Sequence, residues 1–234
     1  PAEPAGVGWD APEAVVEAGV ELQRQLRSGF GGNDQVAREA FEEAMEPRHV
    51  AISRDGEPTL YPYLPELIKA FHDHGITTFL VSNGTRPEML ADCDPTQLYV
   101  SVDAADRATF DDVVGATEDD AWDRLVDTLD VLAAKGETRT VLRTTVLQGF
   151  NDHHPEWYAG MYDRADADFV ELKAHMHVGH SRGRLDRSAM PDHDDVLAFT
   201  GAVQEYLPTP PVLRAAEASR AALLARAAHT RARS

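Results

Sequence analysis

The sequence contains a single cysteine, Cys93, among its 234 residues. One cysteine cannot form a disulfide bond within the chain. It also cannot supply the several thiolates that an iron–sulfur cluster or a thiolate-bound zinc ion requires. Because a chain without disulfides is typical of a reducing compartment, we expect a cytoplasmic protein.

The sequence also has few aromatic residues, only three lysines and no long apolar run. No stretch approaches the roughly 18 consecutive apolar residues of a membrane-spanning helix, so we expect no membrane span. Residues 1–20 lack a basic start followed by an apolar run, and we therefore expect no signal peptide. The chain starts with Pro1 rather than methionine, which leads us to expect a processed protein or a piece of a longer one.

Acidic residues greatly outnumber basic ones, and the formal net charge is −18. An acidic, lysine-poor surface is typical of proteins that work in strong salt, where ions screen the repulsion between like charges. We therefore predict a halophilic protein, with an acidic protein from a GC-rich genome as the alternative. The charge disfavours an extensive nucleic-acid-binding surface, although it is compatible with a local basic patch.

Apolar periodicity predicts short strands that alternate with helices. The predicted strands cover 49–53, 77–82, 97–102, 139–147 and 168–173. The predicted helices cover 11–27, 34–46, 63–74, 86–91, 106–114, 118–135, 155–165 and 192–206. This alternation is typical of an α/β fold with a parallel sheet or barrel and right-handed crossovers. We find no internal repeat or long linker and predict one core domain over 1–207.

A tail over 208–234 follows the predicted core domain. It is rich in alanine and arginine, and from 211 onwards its only acidic residue is Glu217. A basic helix that contacts RNA is one interpretation of this composition. A solvated or frayed terminus is the other.

The first predicted strand runs directly into a polar turn, Asp55-Gly56-Glu57-Pro58. In parallel α/β folds the carboxyl ends of the strands form the ligand-binding edge. Gly56 allows a positive φ or a close backbone approach, and Pro58 fixes the turn that follows. Glu57 can present a carboxylate to a cation such as an ammonium group. An ordinary tight turn before a helix is the alternative.

Polar residues also follow the next three strands. Asn83 and Gly84 form a common turn pair after the second strand. Ser101 and Asp103 share one side of the third strand, where they can hydrogen-bond ribose hydroxyls or simply end the strand. The fourth strand contains Arg143 and Thr145 near its end. Such a succession of polar strand ends indicates a binding site, because a plain core does not require it.

The fifth predicted strand ends at Lys173 and leads into AHMHVGHSRGR. Lys173 would point into the mouth of a barrel, where it can bind a phosphate or a carboxylate. An ion pair with Glu171 is equally consistent with the sequence. His175 and His177 would share one face of an extended segment, but no carboxylate or thiol completes a familiar ligand spacing, so we expect no metal site in this chain.

The order and spacing of these strand ends resemble the radical SAM superfamily, whose members bind S-adenosyl-L-methionine (SAM). Longer segments resemble one family within it, the archaeal tRNA 4-demethylwyosine synthases. These segments are WDAPEAVVEAGVELQRQLRSGFGGN, FEEAMEPRHVAISRDGEPTLYPYLPELIKAFHDHGITTFLVSNGT, PTQLYVSVDA and VELKAHMHVGHSRGRL. The resemblance extends from about Trp9 to about Leu207. It implies a partial parallel (β/α) barrel without its first strand, flanked by helices, and with the charge it implies a haloarchaeal source.

The resemblance also implies which residues bind ligands. The residues that would hold SAM are Asp55, Gly56, Glu57, Pro58, Asn83, Ser101 and Asp103. The candidate substrate-binding residues are Lys173, His177, Ser181, Arg182 and Arg184. Contacts from these arginines to tRNA phosphates are one interpretation, and charge balance in an acidic protein is the alternative.

The activity implied by the resemblance is a radical condensation of pyruvate carbons with N1-methylguanosine beside the anticodon of tRNA-Phe, a step of wyosine biosynthesis. The family is expected to work as a carbon–carbon lyase with an electron donor such as ferredoxin or flavodoxin. The alternatives are another radical SAM enzyme, a non-catalytic SAM- or RNA-binding remnant, and a TIM-type phosphate-sugar enzyme.

The family requires a CxxxCxxC loop that binds a 4Fe–4S cluster, a second cluster and a pyruvate-binding lysine. None of these can be identified in this sequence, and we expect the cluster cysteines upstream of Pro1. The 234 residues alone should therefore bind no cluster and be inactive. We interpret Cys93 as a small core residue or a half-buried free thiol.

Overall fold

The structure is a computed structural model that describes residues 8–53, 56–208 and 212–226, without the side chains of His180 and Val212. Five strands make up the parallel part of its sheet, and they are β1 (His49–Ile52), β2 (Thr77–Ser82), β3 (Gln97–Ser101), β4 (Arg139–Val146) and β5 (Phe169–Ala174). Two further strands follow, β6 (Val212–Ala216) and β7 (Ala221–Ala225).

Helices lie before and between the strands. They are α1 (Pro12–Ser28), α2 (Arg38–Ala44), α3 (Leu64–Asp73), α4 (Pro87–Asp92), α5 (Arg107–Val113), α6 (Ala121–Ala133), α7 (Pro155–Ala165) and α8 (His193–Glu205). Short 3₁₀ helices cover Pro58–Leu60, Gly179–Gly183, Arg187–Ala189 and Glu217–Ser219. The predicted positions of the main helices and of β1 to β5 agree with these bounds to within a few residues.

The strands form one sheet in the order β1-β2-β3-β4-β5-β7-β6. Each neighbouring pair from β1 to β5 is parallel, whereas β7 is antiparallel to β5 and to β6. The sheet does not close in the described part of the chain, since β1 and β6 each have one neighbour. The predicted α/β fold with a partial parallel barrel is thereby confirmed.

Apolar spacing explains how the helices cover the sheet. In α3 the buried residues Leu64, Leu67, Ile68 and Phe71 follow the i, i+3, i+4, i+7 pattern of a helix with one apolar face. In β2 the residues alternate between full and partial burial. One face of the sheet therefore lies against the helices, and the other face is the concave side of the partial barrel.

The stretch 212–225 differs from the expectation for the tail. A basic helix is not found there, because β6 and β7 form an antiparallel hairpin that extends the sheet beyond β5. Ala222 and Leu224 of β7 are buried, so the alanine-rich composition supplies small side chains that pack between strands. Residues 209–211 and 227–234 lie outside the described residues, and the division of the chain at 207 stays a prediction.

Gly84 and Gly75 have similar backbone conformations but differ in how closely side chains pack around them. Gly84 has a φ of +75°, and a Cβ there would lie 2.7 Å from Leu125 Cδ1 and 2.9 Å from Val100 Cγ1. Gly75 has a similar φ of +72°, with no atom within 4 Å of a Cβ. Gly75→Ala should therefore cost about 1–2 kcal/mol of backbone strain, and Gly84→Ala should cost about 1–3 kcal/mol more through overpacking.

Urea denaturation of both glycine variants measures these costs as changes in the free energy of unfolding. Equal destabilisation by the two substitutions would contradict the packing around Gly84. The m value should stay unchanged in both variants, since neither substitution alters the surface exposed on unfolding.

Candidate functional site

A cavity of about 360 Å³ lies at the carboxyl ends of β1 to β4. Its lining residues come from four successive strand ends, and they are Ser53, Gly56, Glu57, Val81, Ser82, Asn83, Ser101 and Arg143. Parallel pairing explains why they meet, since it brings the carboxyl ends of neighbouring strands to one edge of the sheet. Gly56, Glu57, Asn83 and Ser101 of the predicted SAM site all line this cavity.

The carboxylate of Glu57 is held by four hydrogen bonds. Its Oε1 accepts bonds from Thr59 N at 3.2 Å, Thr59 Oγ1 at 2.8 Å and Ser82 Oγ at 2.7 Å. Its Oε2 accepts a bond from Asn83 N at 2.8 Å. The side chain therefore has a fixed orientation at the wall of the cavity, and a cation that binds there meets a carboxylate that needs no reorganisation.

Thr59 and Ser82 were not predicted as site residues, although the structure gives them the task of holding Glu57. Both side chains are almost completely buried. Ser82 Oγ also accepts a bond from Gly84 N at 3.1 Å, which links the turn after β2 to Glu57. The sequence does not indicate this role, because threonine and serine are common in strands and turns whether or not they hold a binding residue.

Asn83 and Gly84 form the tight turn that was expected after β2. The side-chain Oδ1 of Asn83 accepts bonds from Thr85 N at 3.0 Å and Thr85 Oγ1 at 2.8 Å. The carbonyl oxygen of Gly84 accepts a bond from Thr128 Oγ1 of α6 at 2.6 Å. The side chain of Asn83 thus shapes the turn, while its backbone N–H contacts Glu57.

Arg143 places a positive charge on the same cavity wall as Ser101. The two residues are directly opposite in the β3–β4 register, and Arg143 is opposite Glu171 on β5. The guanidinium carbon lies 5.9 Å from the ring centre of Tyr99, within range of a cation–π contact. The sequence predicts Arg143 near a strand end but indicates no binding role for it, because only the register shows that it shares a face with Ser101.

Asp103 joins the ends of β3 and β4. Its Oδ1 accepts a bond from Thr145 N at 2.6 Å, and its carbonyl oxygen accepts one from Asn151 Nδ2 at 2.8 Å. Burial raises the pKa of Asp103 from its ordinary value of 3.8, and the bonds from Thr145 and the charge of Arg143 oppose that rise. Asp103 is not among the residues that line the cavity.

Two other residues of the predicted SAM site do not line the cavity. Pro58 begins the short 3₁₀ helix in which Thr59 N donates to Glu57, so it shapes the turn. Asp55 lies outside the described residues.

The segment after β5 folds into a loop at the same edge of the sheet. Ser181 Oγ lies 2.7 Å from the carbonyl oxygen of Val178 and accepts a bond from Val178 N at 3.0 Å. Arg182 Nε donates to the carbonyl oxygen of His177 at 3.4 Å. Ser181 and Arg182 therefore stabilise the loop, while the side chains of Arg182 and Arg184 remain exposed.

Two histidine rings in this loop have unused hydrogen-bonding atoms. Nε2 of His175 and Nε2 of His177 are buried and have no partner among the described residues. Burial, reinforced by His177, lowers the pKa of His175. In the described part of the chain, no group of three or more His, Cys, Asp or Glu is arranged so that it could hold a metal ion.

Lys173 is half-buried on β5, directly opposite Thr145 of β4 and Ala221 of β7. Lys69 and Lys135 each form a salt bridge with an aspartate. The described residues show no such bridge between Lys173 and Glu171. Lys173 is two positions beyond Glu171 on β5, so its side chain lies on the same face of the sheet as Arg143, which is directly opposite Glu171.

Cys93 does not provide a ligand for an iron–sulfur cluster. The residue is buried in the core beside α4, and burial raises the pKa of its thiol to about 12. Such a thiol is not a thiolate at neutral pH, and one residue cannot hold a cluster in any case. Within the described residues, no helix is both long and apolar enough to cross a membrane.

Two family models match successive parts of this chain. The model of the radical SAM superfamily matches residues 30–159, which include β1 to β4 and the cavity. The model described as wyosine base formation matches residues 164–226, which include β5 to β7 and the loop after β5. The chain belongs to the radical SAM superfamily, whose members use SAM and a 4Fe–4S cluster.

Similar proteins point to one branch of that superfamily. The S-adenosyl-L-methionine-dependent tRNA 4-demethylwyosine synthase of Pyrococcus abyssi is 44% identical over 93% of this chain and 65% of its own length. The enzyme of the same name from Methanocaldococcus jannaschii is 43% identical over 84% of this chain and 62% of its own length. The chain thus spans less than two thirds of the curated relatives it matches.

A solved structure gives the same result for the fold. The structure described as TYW1 with a lysine-pyruvate adduct bound has a TM-score of 0.86 and is 41% identical to this chain. The match covers 96% of this chain and 72% of that one. The family resemblance inferred from the sequence is thereby confirmed at the level of fold and relatives.

The raised pKa of Asp103 predicts a pH effect on stability. Because ionisation is less favourable in the folded state, the contribution of Asp103 is fully present below its ordinary pKa and is lost as pH rises through the raised value. Asp103→Asn keeps an acceptor for Thr145 N but cannot ionise. Its stability relative to the unsubstituted protein should therefore increase as pH rises above about 4.

Asp106→Asn is a matched control with the opposite sign. Burial opposes ionisation of Asp106, but hydrogen bonds from Thr109 and from Ala108 outweigh it and lower its pKa. The relative stability of Asp106→Asn should therefore decrease as pH rises from the lowered pKa to the ordinary value of 3.8, and it should stay constant above that value. Free energies of unfolding measured by urea titration across pH values test both trends, and parallel curves for the two variants would contradict them.

Proposed function

We propose that this chain is the SAM-binding and substrate-binding part of a tRNA 4-demethylwyosine synthase. The observation that supports the proposal most directly is the cavity with the fixed carboxylate of Glu57, in a chain similar to such synthases along nearly its whole length. The reaction would condense pyruvate carbons with N1-methylguanosine beside the anticodon of tRNA-Phe. That chemistry would classify the enzyme as a carbon–carbon lyase of wyosine biosynthesis.

The cavity offers complementary groups to each polar part of SAM. Glu57 would accept hydrogen bonds from the amino group, for which the four donors already keep its carboxylate in place. Arg143 would pair with the methionine carboxylate from the opposite wall. Ser101 would hydrogen-bond the ribose, Gly56 would leave space for the ligand, and Asn83 would close the pocket.

The remaining members of the predicted SAM site would act on the shape of the pocket. Pro58 would fix the turn that presents Glu57, and Asp103 would hold the ends of β3 and β4 together as well as contact the ribose. Asp55 stays a candidate on the strength of the resemblance alone. A 4Fe–4S cluster would supply the electron that cleaves SAM, and the residues of this chain do not fit its ligand set.

The substrates would bind on the β5 side of the concave face. The ammonium group of Lys173 suits a carboxylate such as that of pyruvate, or a phosphate of the tRNA. The imidazoles of His175 and His177 retain unused nitrogens that can hydrogen-bond a base or an acid. Ser181 would keep the loop folded, and the exposed side chains of Arg182 and Arg184 would contact tRNA phosphates.

The setting of the proposed enzyme follows from its chemistry. An electron donor such as ferredoxin or flavodoxin would reduce the cluster, and the single cysteine suits the reducing cytoplasm in which tRNA is modified. The net charge of −18 supports a haloarchaeal protein that works in strong salt.

The proposed activity can be tested with the protein encoded by the native gene, reconstituted under anaerobic conditions. The assay contains SAM, pyruvate, a reductant and tRNA-Phe that carries N1-methylguanosine. Mass spectrometry of the digested tRNA should show the tricyclic base. SAM binding without that product would favour the non-catalytic alternative, and a product on a small molecule would favour another radical SAM enzyme.

Glu57→Gln tests the role of the carboxylate in the same protein. The substitution removes the charge and places an NH₂ group against N–H and O–H donors, so SAM affinity should fall by roughly 10- to 150-fold, the loss expected for one charge-assisted hydrogen bond. Glu66→Gln, an exposed position on α3, is the matched control and should leave SAM affinity unchanged. Isothermal titration calorimetry measures both, and equal affinities for the two variants would exclude the proposed contact.

The arginines of the loop after β5 make a separate prediction. Combined Arg182→Gln and Arg184→Gln should weaken binding of tRNA while SAM affinity stays the same. Because each phosphate contact adds to the salt dependence, the slope of log affinity against log salt should become smaller by about one to two. An unchanged slope in a filter-binding titration would assign these arginines to charge balance alone.

A further inference from the structure

Three aromatic rings are exposed at the loop between β4 and α7. Phe150 and Trp157 expose 45% and 43% of their surface, and the side chain of His154 is 47% exposed. We refer to Phe150, His154 and Trp157 as the aromatic platform. Phenylalanine, tryptophan and tyrosine make up only 7% of the sequence, so the exposure of both Phe150 and Trp157 between the end of β4 and the first turn of α7 calls for an explanation.

The rings of His154 and Trp157 are stacked. Their centroids are 3.9 Å apart and their planes differ by 12°. His154 Nδ1 lies 3.2 Å from Oε1 of Glu156, which orients the imidazole. The two rings are nearly parallel and each is partly exposed, an arrangement on which a further planar group can stack.

The backbone conformation of His154 maintains this stack. Its φ and ψ are +52° and +54°, in the left-handed region that non-glycine residues rarely adopt. Pro155 follows directly, and a proline further restricts the residue before it. The carbonyl oxygen of His154 accepts a bond from Trp157 N at 3.0 Å, which keeps the two residues in register.

Asn151 fastens the loop to the sheet. This fully buried side chain accepts a bond from Leu147 N at 2.7 Å and donates to the carbonyl oxygens of Asp103 and Thr145, each at 2.8 Å. Asp152 Oδ1 accepts a further bond from Gly149 N at 2.8 Å. The aromatic platform is therefore held on a rigid support.

The support connects the aromatic platform to the cavity. Asn151 bonds to Asp103 and Thr145, and each of these lies two residues beyond a cavity residue, Ser101 on β3 and Arg143 on β4. Two residues of a strand span about 7 Å. The exposed rings thus lie at the same edge of the sheet as the cavity.

The charge of the protein decides which kind of contact can hold such a strand. With a net charge of −18, long-range attraction of phosphates is weak, and strong salt would reduce it further. Stacking of bases on aromatic rings does not depend on counterion release and accepts any base. We propose that the aromatic platform stacks an unpaired nucleobase of the RNA substrate beside the nucleotide that is modified. This proposal rests on the proposed function.

The test is binding of a synthetic anticodon stem–loop RNA to the native-gene protein, reconstituted anaerobically. Trp157→Ala should weaken RNA binding by about 5- to 150-fold, the loss expected for one base–aromatic stack. Trp157→Phe keeps a flat ring and should retain most of the affinity. RNA should also quench an indole emission that is lost in Trp157→Phe.

Tyr206→Ala is the control substitution. Tyr206 is 58% exposed, but it follows α8 at the opposite edge of the sheet, so its removal should not change RNA affinity. The RNA affinity of the unsubstituted protein, divided by that of Trp157→Ala, should stay constant as the salt concentration rises. A ratio that falls with salt would assign the effect to charge and overturn the stacking proposal.

Two further outcomes separate this proposal from the proposed function. If the unsubstituted protein modifies tRNA but Trp157→Ala binds RNA equally well, the proposed role of the aromatic platform is wrong and the proposed function stands. If the unsubstituted protein binds SAM but neither binds nor modifies the RNA, the proposed function itself is wrong. Weaker binding of Trp157→Ala to a ferredoxin, with RNA affinity unchanged, would make the surface a protein-docking site and also overturn the proposal.

Discussion

The parallel pairing of β1 to β5 is the constraint on which the site depends. It places the ends of β1 to β4 at one edge of the sheet, so that residues far apart in sequence line one cavity. It also fixes which side chains share a face, as the direct opposition of Ser101, Arg143 and Glu171 demonstrates. A one-residue slip between β3 and β4 would turn Arg143 towards the helices and remove the positive charge from the cavity.

Hydroxyl and amide side chains fix the strand ends that pairing brings together. Ser82 and Thr59 hold Glu57 on the β1 side, and Asn151 joins β3 to β4 through two carbonyl oxygens. Each of these side chains is buried, where an unpaired polar group is costly and a satisfied one is correspondingly rigid. The binding groups are therefore preorganised by neighbours that do not themselves present charge to a ligand.

Much of the fold and part of the site follow from the sequence. Alternating apolar runs located β1 to β5, and the turn chemistry of Gly56, Glu57, Asn83 and Gly84 marked the binding edge. The β6–β7 hairpin was missed, because alanine-rich segments carry little strand periodicity and become strands only by pairing with β5. The sequence does not predict the roles of Arg143, Thr59 and Asn151 in the site. The role of Arg143 depends on the register between β3 and β4. Thr59 and Asn151 act through hydrogen bonds to residues 2 and 48 positions away in the chain.

The cavity and the nearby edge of the sheet differ in the electrostatic conditions under which a ligand would bind. At the cavity, a small charged ligand can be held by one carboxylate and one guanidinium, whose short-range contacts are little affected by the acidic surface. At the edge of the sheet, the proposed RNA substrate would approach a protein that carries the same sign of charge. Flat aromatic faces and local arginines can then provide recognition without long-range attraction, and they contribute only once the RNA is in place. If the proposed function holds, an acidic protein of this kind would gain selectivity for shape and for an unpaired base, because phosphate charge alone would not hold RNA to its surface.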